Sequence, residues 1–262
     1  MFWAAFIARM AGTAFIVVTI SWIAARLGPT VGGVVVGLPI VLAPGFGFML
    51  FDHAPAFVAE ASAGALFSLA ATQVFLLIFV AMSRGSGPFL SVAGGALAWL
   101  LLAVPLSVLP HDPLIGAALF IAVTFAARHI GRRWVQGGPA NAAGTNWGLL
   151  ILRGLVAGIL VGGVTLGASA LGPAFSGAMM AFPIGFTVIA ISLHLDHGGR
   201  FAGQTAYAGL AGLFSLAAFS LCLALFLGRM PTLAAFVLAL AASVIATLFL
   251  TMRARRPGQG QA

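Results

Sequence analysis

The sequence predicts an all-α, polytopic membrane protein with about nine transmembrane helices in a 4+1+4 inverted-repeat arrangement. Three observations carry that expectation. Apolar runs of about twenty residues, the length that spans a bilayer, follow one another along the chain. Only 6% of the residues are charged while 62% are hydrophobic, where an ordinary soluble domain is about one quarter charged. Finally, part of the second half repeats the first at an offset of 144 residues. A mean hydropathy of +1.16 agrees with lipid as the solvent. Lipid admits only helices or closed barrels, and the long unbroken apolar runs lack the period-two alternation of a barrel strand.

The runs give nine expected spans: 5–27, 31–51, 57–82, 89–109, 113–131, 148–170, 175–195, 202–227 and 232–252. Gly28-Pro29 separates the first run from the second, and Gly172-Pro173 the sixth from the seventh. Gly85-Ser86-Gly87-Pro88 and His111-Asp112-Pro113 place proline at helix starts, where a missing amide costs least. The polar stretch from Arg132 to Asn146 reads as the connector between halves. Residues 1–110 are therefore expected to form one four-helix repeat, 111–147 a linker helix and connector, and 148–252 a second four-helix repeat. Residues 253–262 read as a disordered polar tail.

All twelve basic residues are arginine, and the net charge is +8. They stand singly at the ends of apolar runs, so nucleic acid is not an expected partner. With nine spans, Arg26, Arg84, Arg128, Arg132, Arg133, Arg153, Arg200, Arg253, Arg255 and Arg256 share one side, and Arg9 and Arg229 the other. That bias predicts an amino terminus outside and a carboxyl terminus in the cytoplasm.

The repeat aligns Arg9–Glu60 with Arg153–Gln204 without a gap, identical at twelve of fifty-two positions. Arg9 meets Arg153, Leu27-Gly28-Pro29 meets Leu171-Gly172-Pro173, and Gly33 meets Gly177. Pro39-Ile40 meets Pro183-Ile184, Asp52-His53 meets Asp196-His197, and Phe57 meets Phe201. A recurring Asp-His pair carries most weight in a chain with four acids and five histidines. Five spans separate the first helices of the copies, so the second copy is expected to be inverted, with Asp52 outside and Asp196 inside. Because the first run has a counterpart in the sixth, it is expected to belong to the fold rather than to a cleaved leader.

The candidate site residues cluster at matching places. Gly32, Gly33, Gly37, Pro39, Pro44, Gly45 and Gly47 crowd the second span, and Gly177, Pro183 and Gly185 its partner, the seventh. Paired interrupted helices in inverted halves point to a transporter's substrate site; the alternative is a tight small-residue packing face with proline kinks. Asp52-His53 and Asp196-His197 end those helices, and His194 lies three residues before His197. These groups read either as interfacial caps or as a proton-linked gate, and no complete metal shell is among them. Arg9 and Arg153 are expected to pair with Asp52 and Asp196, Arg9 having Glu60 as a second choice; the alternative is snorkelling to the headgroups. Gln73, near the centre of its span, reads as interhelical glue or as a substrate contact, with Thr72, Thr187 and Ser192 as weaker versions. None of the four acids is expected at mid-membrane, which leaves backbone dipoles at the helix breaks to do more of any recognition.

The stretch Ala181-Phe-Pro-Ile-Gly-Phe-Thr-Val-Ile-Ala-Ile-Ser-Leu-His194, followed by a charged turn and two apolar spans, resembles the small four-helix GlpM-type inner-membrane proteins. Leu38-Pro39-Ile40 looks like a degenerate copy of the same motif, although His53 falls beyond the position matching His194. The resemblance implies two GlpM-like units fused antiparallel through a linker helix in a bacterial inner membrane, and an association with exopolysaccharide production. It implies no biochemical activity.

No Walker loop, GxSxG or HExxH motif is present, and the single Cys222 lies in an apolar run. No enzyme activity, cofactor or metal is expected. The leading expectation is a secondary transporter or permeation pathway for a small molecule or ion, with its site between interrupted helices two and seven. The rival is a non-transporting accessory or scaffold protein in envelope or exopolysaccharide biosynthesis. The lipid bilayer is the expected partner in both, and a second copy of the chain is a candidate one.

Overall fold

The computed structural model describes residues 2–25, 38–135 and 147–255. Of the described residues 88% are helical and none forms a β-strand. Seven helical segments among them are long and apolar enough to cross a membrane. In chain order the helices are α1 (Phe2–Ala25), α2 (Leu42–Asp52), α3 (Pro55–Met82), α4 (Pro88–Leu106) and α5 (Pro113–Gly131). A short 3-10 turn (Arg132–Trp134) comes next, then α6 (Trp147–Leu171), α7 (Pro173–Met180), α8 (Ile184–Phe226) and α9 (Thr232–Arg255). Leu27-Gly28-Pro29, Gly32, Gly33 and Gly37, most of the connector and the last seven residues lie outside the described residues.

Local chemistry explains where these helices start. Pro55, Pro88, Pro113 and Pro173 occupy the first position of α3, α4, α5 and α7, where the missing amide would have had no intrahelical acceptor. At α5 the Asp112 carboxylate accepts from the amides of Leu114 and Ile115 at 2.8 and 2.9 Å, satisfying two of the donors that a helix start leaves open. Left-handed glycines mark the stops: Gly172 (φ 75°) separates α6 from α7, and Gly228 (φ 83°) comes after α8. At 43 residues α8 would run about 65 Å if straight, roughly twice the hydrocarbon thickness. A break at Gly198 (φ 81°, ψ 165°) divides it.

The centre of the molecule is α3. Every residue from Ala61 to Gln73 is buried, so the helix is covered on all sides. Its neighbours are α4, α5, α7 and α8. Small residues set the close contacts. Gly177 of α7 lies against the Ala61 carbonyl of α3, and Gly64 of α3 against the Ala174 backbone of α7. A side chain at either glycine would collide with main chain, the packing that membrane helices use in place of a hydrophobic drive. The second half of α8 runs antiparallel to α3, Gly199 meeting the end of α3 at Ser83 and the Leu210 carbonyl receiving Gln73. Similarly α1 and α6 cross antiparallel, with Gly154 against Ala14, Gly158 against Met10 and Gly162 against Phe6. Outward faces are apolar, including Leu97 and Leu101 on α4, Ile121 and Phe125 on α5, and Ile245 and Phe249 on α9. Such faces suit lipid contact.

Candidate functional site

Two buried arginines anchor the region singled out by the sequence. Arg9 lies in the second turn of α1 and is 8% exposed. Its Nη2 donates to the Asp52 carboxylate at the end of α2, and its guanidinium lies 5.9 Å from the Phe48 ring centre. The expected Arg9–Asp52 pair is therefore present. Next to it, His53 caps α2 through its amide, which donates to the Met49 carbonyl at 2.9 Å. Its Nε2 stands 3.1 Å from the Ser169 hydroxyl and its ring 4.3 Å from that of Phe57.

Arg153 differs. It lies in the second turn of α6, is 2% exposed, and makes no hydrogen bond or ion pair among the described residues. The expected Arg153–Asp196 pair is not formed, and Asp196 lies exposed on α8. The Arg153 guanidinium instead faces the first turn of α8: its Nη2 lies 3.0 Å and its Nε 3.4 Å from where a Cβ on Gly185 would stand. Only a glycine leaves that space. Neither arginine snorkels, since both are buried by protein.

The interrupted helix is resolved in detail. The α7 helix stops at Met180, Ala181 (φ −85°, ψ 3°) and Pro183 (φ −78°, ψ 49°) leave helical geometry, and α8 begins at Ile184. Proline supplies no amide at the break, and the turn tightens: the Ala181 amide reaches the Gly177 and Ala178 carbonyls and the Phe182 amide the Met179 carbonyl. Hydroxyls on α3 add to these. Ser68 donates to the Ala178 carbonyl at 3.0 Å, and the Thr72 hydroxyl lies 3.0 Å from the Ala181 carbonyl. Trp99 of α4 donates its Nε1 proton to Thr72 at 3.2 Å and sets its ring edge-on to Phe182, 4.8 Å between centroids. Thr187 donates to the Pro183 carbonyl at 2.9 Å.

On the other side, Pro39 and Ile40 are buried in the turn before α2, and the Pro39 carbonyl accepts from Ala43 at 2.8 Å. Pro44 does not interrupt a helix. It is the third residue of α2, where an amide has no intrahelical acceptor. The two interrupted regions touch, since Gly45 of α2 packs on the Met180 sulfur at the end of α7.

The remaining candidates are dispersed. Asp52 adjoins the start of α3 and Asp196 precedes Gly199 at its far end, so about 40 Å of helix separates them. His194 sits edge-on to Phe79 with its Nδ1 unpartnered, and His197 packs on Phe201. No group of three or more His, Cys, Asp or Glu among the described residues is placed to hold a metal ion. Gln73 is fully buried and acts as glue. Its amide donates to Thr124 at 2.7 Å and to the Leu210 carbonyl at 3.0 Å, joining α3 to α5 and α8. Ser68 and Trp99 were not singled out from the sequence. Their signal is a serine four residues before Thr72 and a lone indole in an apolar run.

Comparison of the chain with family models, curated proteins and solved structures finds no match.

Proposed function

We propose that this protein is a small secondary transporter of the bacterial inner membrane, built from two inverted copies of one four-helix unit around a linker helix. In this reading its substrate site lies between the breaks at Pro39 and Pro183, its amino terminus is outside and its carboxyl terminus cytoplasmic. Helix limits support the duplication: α3 covers 55–82 and the segment after the Gly198 break covers 199–226, the same limits displaced by 144. The α4 and α9 helices start at 88 and 232, displaced by the same amount. Corresponding helices also meet antiparallel, α1 on α6 and α3 on the end of α8, as a two-fold axis in the membrane plane would require. The likeness to GlpM-type units fits this arrangement.

One observation carries the transport reading. Two buried arginines at matching positions of the repeat are in different states: Arg9 is closed on Asp52 at the far end of α2, while Arg153 lies at the α7–α8 break and is not paired. Inverted halves that exchange conformations during alternating access would hold their equivalent latches in opposite states at any moment. The opposite end state then has Arg153 closed on Asp196 and Arg9 released.

The accessory or scaffold reading has its own support, because Ser68 and Thr72 satisfy the carbonyls at the α7–α8 break and so hold that break by packing alone. A paired experiment separates the two. In a Cys222→Ala background, Ala56→Cys and Arg200→Cys should be labelled by an impermeant maleimide from opposite sides of the membrane. An Arg9→Cys/Asp52→Cys disulfide should abolish a flux that the reduced protein carries in proteoliposomes. Labelling from the same side would remove the inverted repeat. Flux indifferent to the disulfide would remove the Arg9–Asp52 latch, and no flux for any anion, amino acid or sugar tried would leave the scaffold.

A further inference from the structure

We infer that Arg153 and the first turn of α8 form a binding site for a small monocarboxylate, which supplies the negative charge that the Asp52 side chain supplies at Arg9. The inference rests on the duplication proposed above for its choice of ligand, and on the geometry at Arg153 for the site itself.

A guanidinium in a low-dielectric interior is costly unless its charge is balanced and its donors are used. Arg153 is 2% exposed, belongs to a span of mean hydropathy 1.9, and has neither compensation from the described residues. One turn along its helix, Ala157 belongs to a buried apolar cluster with Val17, Ile40 and Ile184, so the neighbourhood offers little to solvate a bare cation. Its guanidinium, however, is aimed at the start of a long helix. Gly185 and Phe186 lie in the first turn of α8, whose amides have no intrahelical acceptors. No side chain caps this turn, and the positive end of the helix dipole adds to the arginine's charge. Because Gly185 has no Cβ, the guanidinium comes directly against this turn, its Nη2 only 3.0 Å from where that atom would stand, so an anion at the turn would meet fork and amides together.

Charge selects the ligand. A single guanidinium balances one negative charge, so a monovalent anion fits and a divalent one would leave charge buried. A planar pair of oxygens matches the guanidinium fork, which favours carboxylate over halide. The equivalent arginine already shows the preference, because Arg9 holds a carboxylate. When Arg153 closes on Asp196 in the opposite end state, that side chain displaces the solute, and the exchange links binding to the change of state.

The test is binding to the purified full-length protein in detergent, read by calorimetry and by melting temperature. Acetate and lactate are the probes; chloride, sulfate and phosphate at equal ionic strength are controls, and phosphatidylglycerol micelles are the lipid arm. Acetate or lactate should bind saturably and raise the melting temperature. Arg153→Gln should weaken binding at least about thirtyfold, Gly185→Val should weaken it by pushing the guanidinium off the turn, and Arg229→Gln, an exposed arginine outside the site, should leave it intact. Arg153→Lys separates loss of charge from loss of the fork, and is expected to keep part of the affinity. Equal monocarboxylate responses in wild type and Arg153→Gln, or no response in wild type, would overturn the site. A response to phosphate, sulfate, chloride or the lipid alone would overturn the ligand class. Binding without flux in proteoliposomes would keep this site and remove the transporter; flux without Arg153-dependent binding would do the reverse.

Discussion

Arg9 and Asp52, 43 positions apart in sequence, form an ion pair that is buried on one side only, with the arginine side chain 10% exposed and the carboxylate 40%. The asymmetry sets what each deletion does. Asp52→Asn leaves a buried cation without its counter-charge and should cost about 1–3 kcal/mol, below a fully buried pair because water reaches the carboxylate. Arg9→Met removes the buried charge itself and should cost less than Asp52→Asn. Thermal unfolding of the two variants and of the double variant in one detergent checks this. A double variant worse than either single one would mean that the pair is not the stabilising unit.

The α7–α8 break depends on hydroxyls contributed by α3. Thr72→Val keeps the shape but withdraws the donor from the Ala181 carbonyl and the acceptor from Trp99, and should lower stability by about 1–3 kcal/mol. Thr72→Ser should recover most of that loss. Tryptophan fluorescence offers a second readout, since Trp99 is fully buried and would lose its hydrogen-bond acceptor only in Thr72→Val.

Gly177→Leu should be strongly damaging, at about 3 kcal/mol or more, because its first side-chain atom would already overlap the Ala61 carbonyl. Backbone cannot yield there as a flexible side-chain tip could. Gly163→Ala is the control, having open space where its Cβ would stand, and should be tolerated. Yield of folded protein from the membrane fraction, followed by size-exclusion chromatography, measures both.

His111, in the turn between α4 and α5, has its protonation disfavoured by burial, against smaller opposing effects from the Leu106 backbone and the charge of Glu60. Its pKa therefore falls below the ordinary value of 6.5. The unfolded chain then binds more protons than the folded one just below that value, so stability drops as pH falls through about 6.5 and keeps dropping until the folded-state group titrates. His111→Phe should flatten the slope of melting temperature between pH 7 and 5, and an unchanged slope would assign it to another group.

Much of the architecture was legible because lipid leaves few options. Composition excluded a water-solvated fold, and the prolines that open α3, α4, α5 and α7 act through a local rule that needs no tertiary context. The Arg9–Asp52 contact was legible too, since two rare charged groups near one membrane boundary have few other partners. The failure of the same logic at Arg153 is instructive. Offset in sequence made Asp196 its partner, but Asp196 lies eleven residues beyond Gly185 along α8, and the guanidinium packs on the first turn of that helix instead. Pro44 was misread as an interruption because its effect depends on where α2 begins, and helix starts are hard to place within a continuous apolar run. The roles of Ser68 and Trp99 stayed hidden because their partners are a backbone carbonyl and a hydroxyl on other helices.

The enclosure of α3 from Ala61 to Gln73 has a consequence for biogenesis. Its mean hydropathy of 2.3 lies between the 1.7 and 2.6 of the spans containing α5 and α9, which present side chains outward. A segment that ends its life shielded from lipid is thus as greasy as those that keep touching it. During synthesis, however, α3 emerges before α5 through α9 exist to wrap it, and must reside in the bilayer on its own merits. Its composition therefore answers to two successive surroundings: fatty acyl chains at insertion, and afterwards the other helices of the same polypeptide.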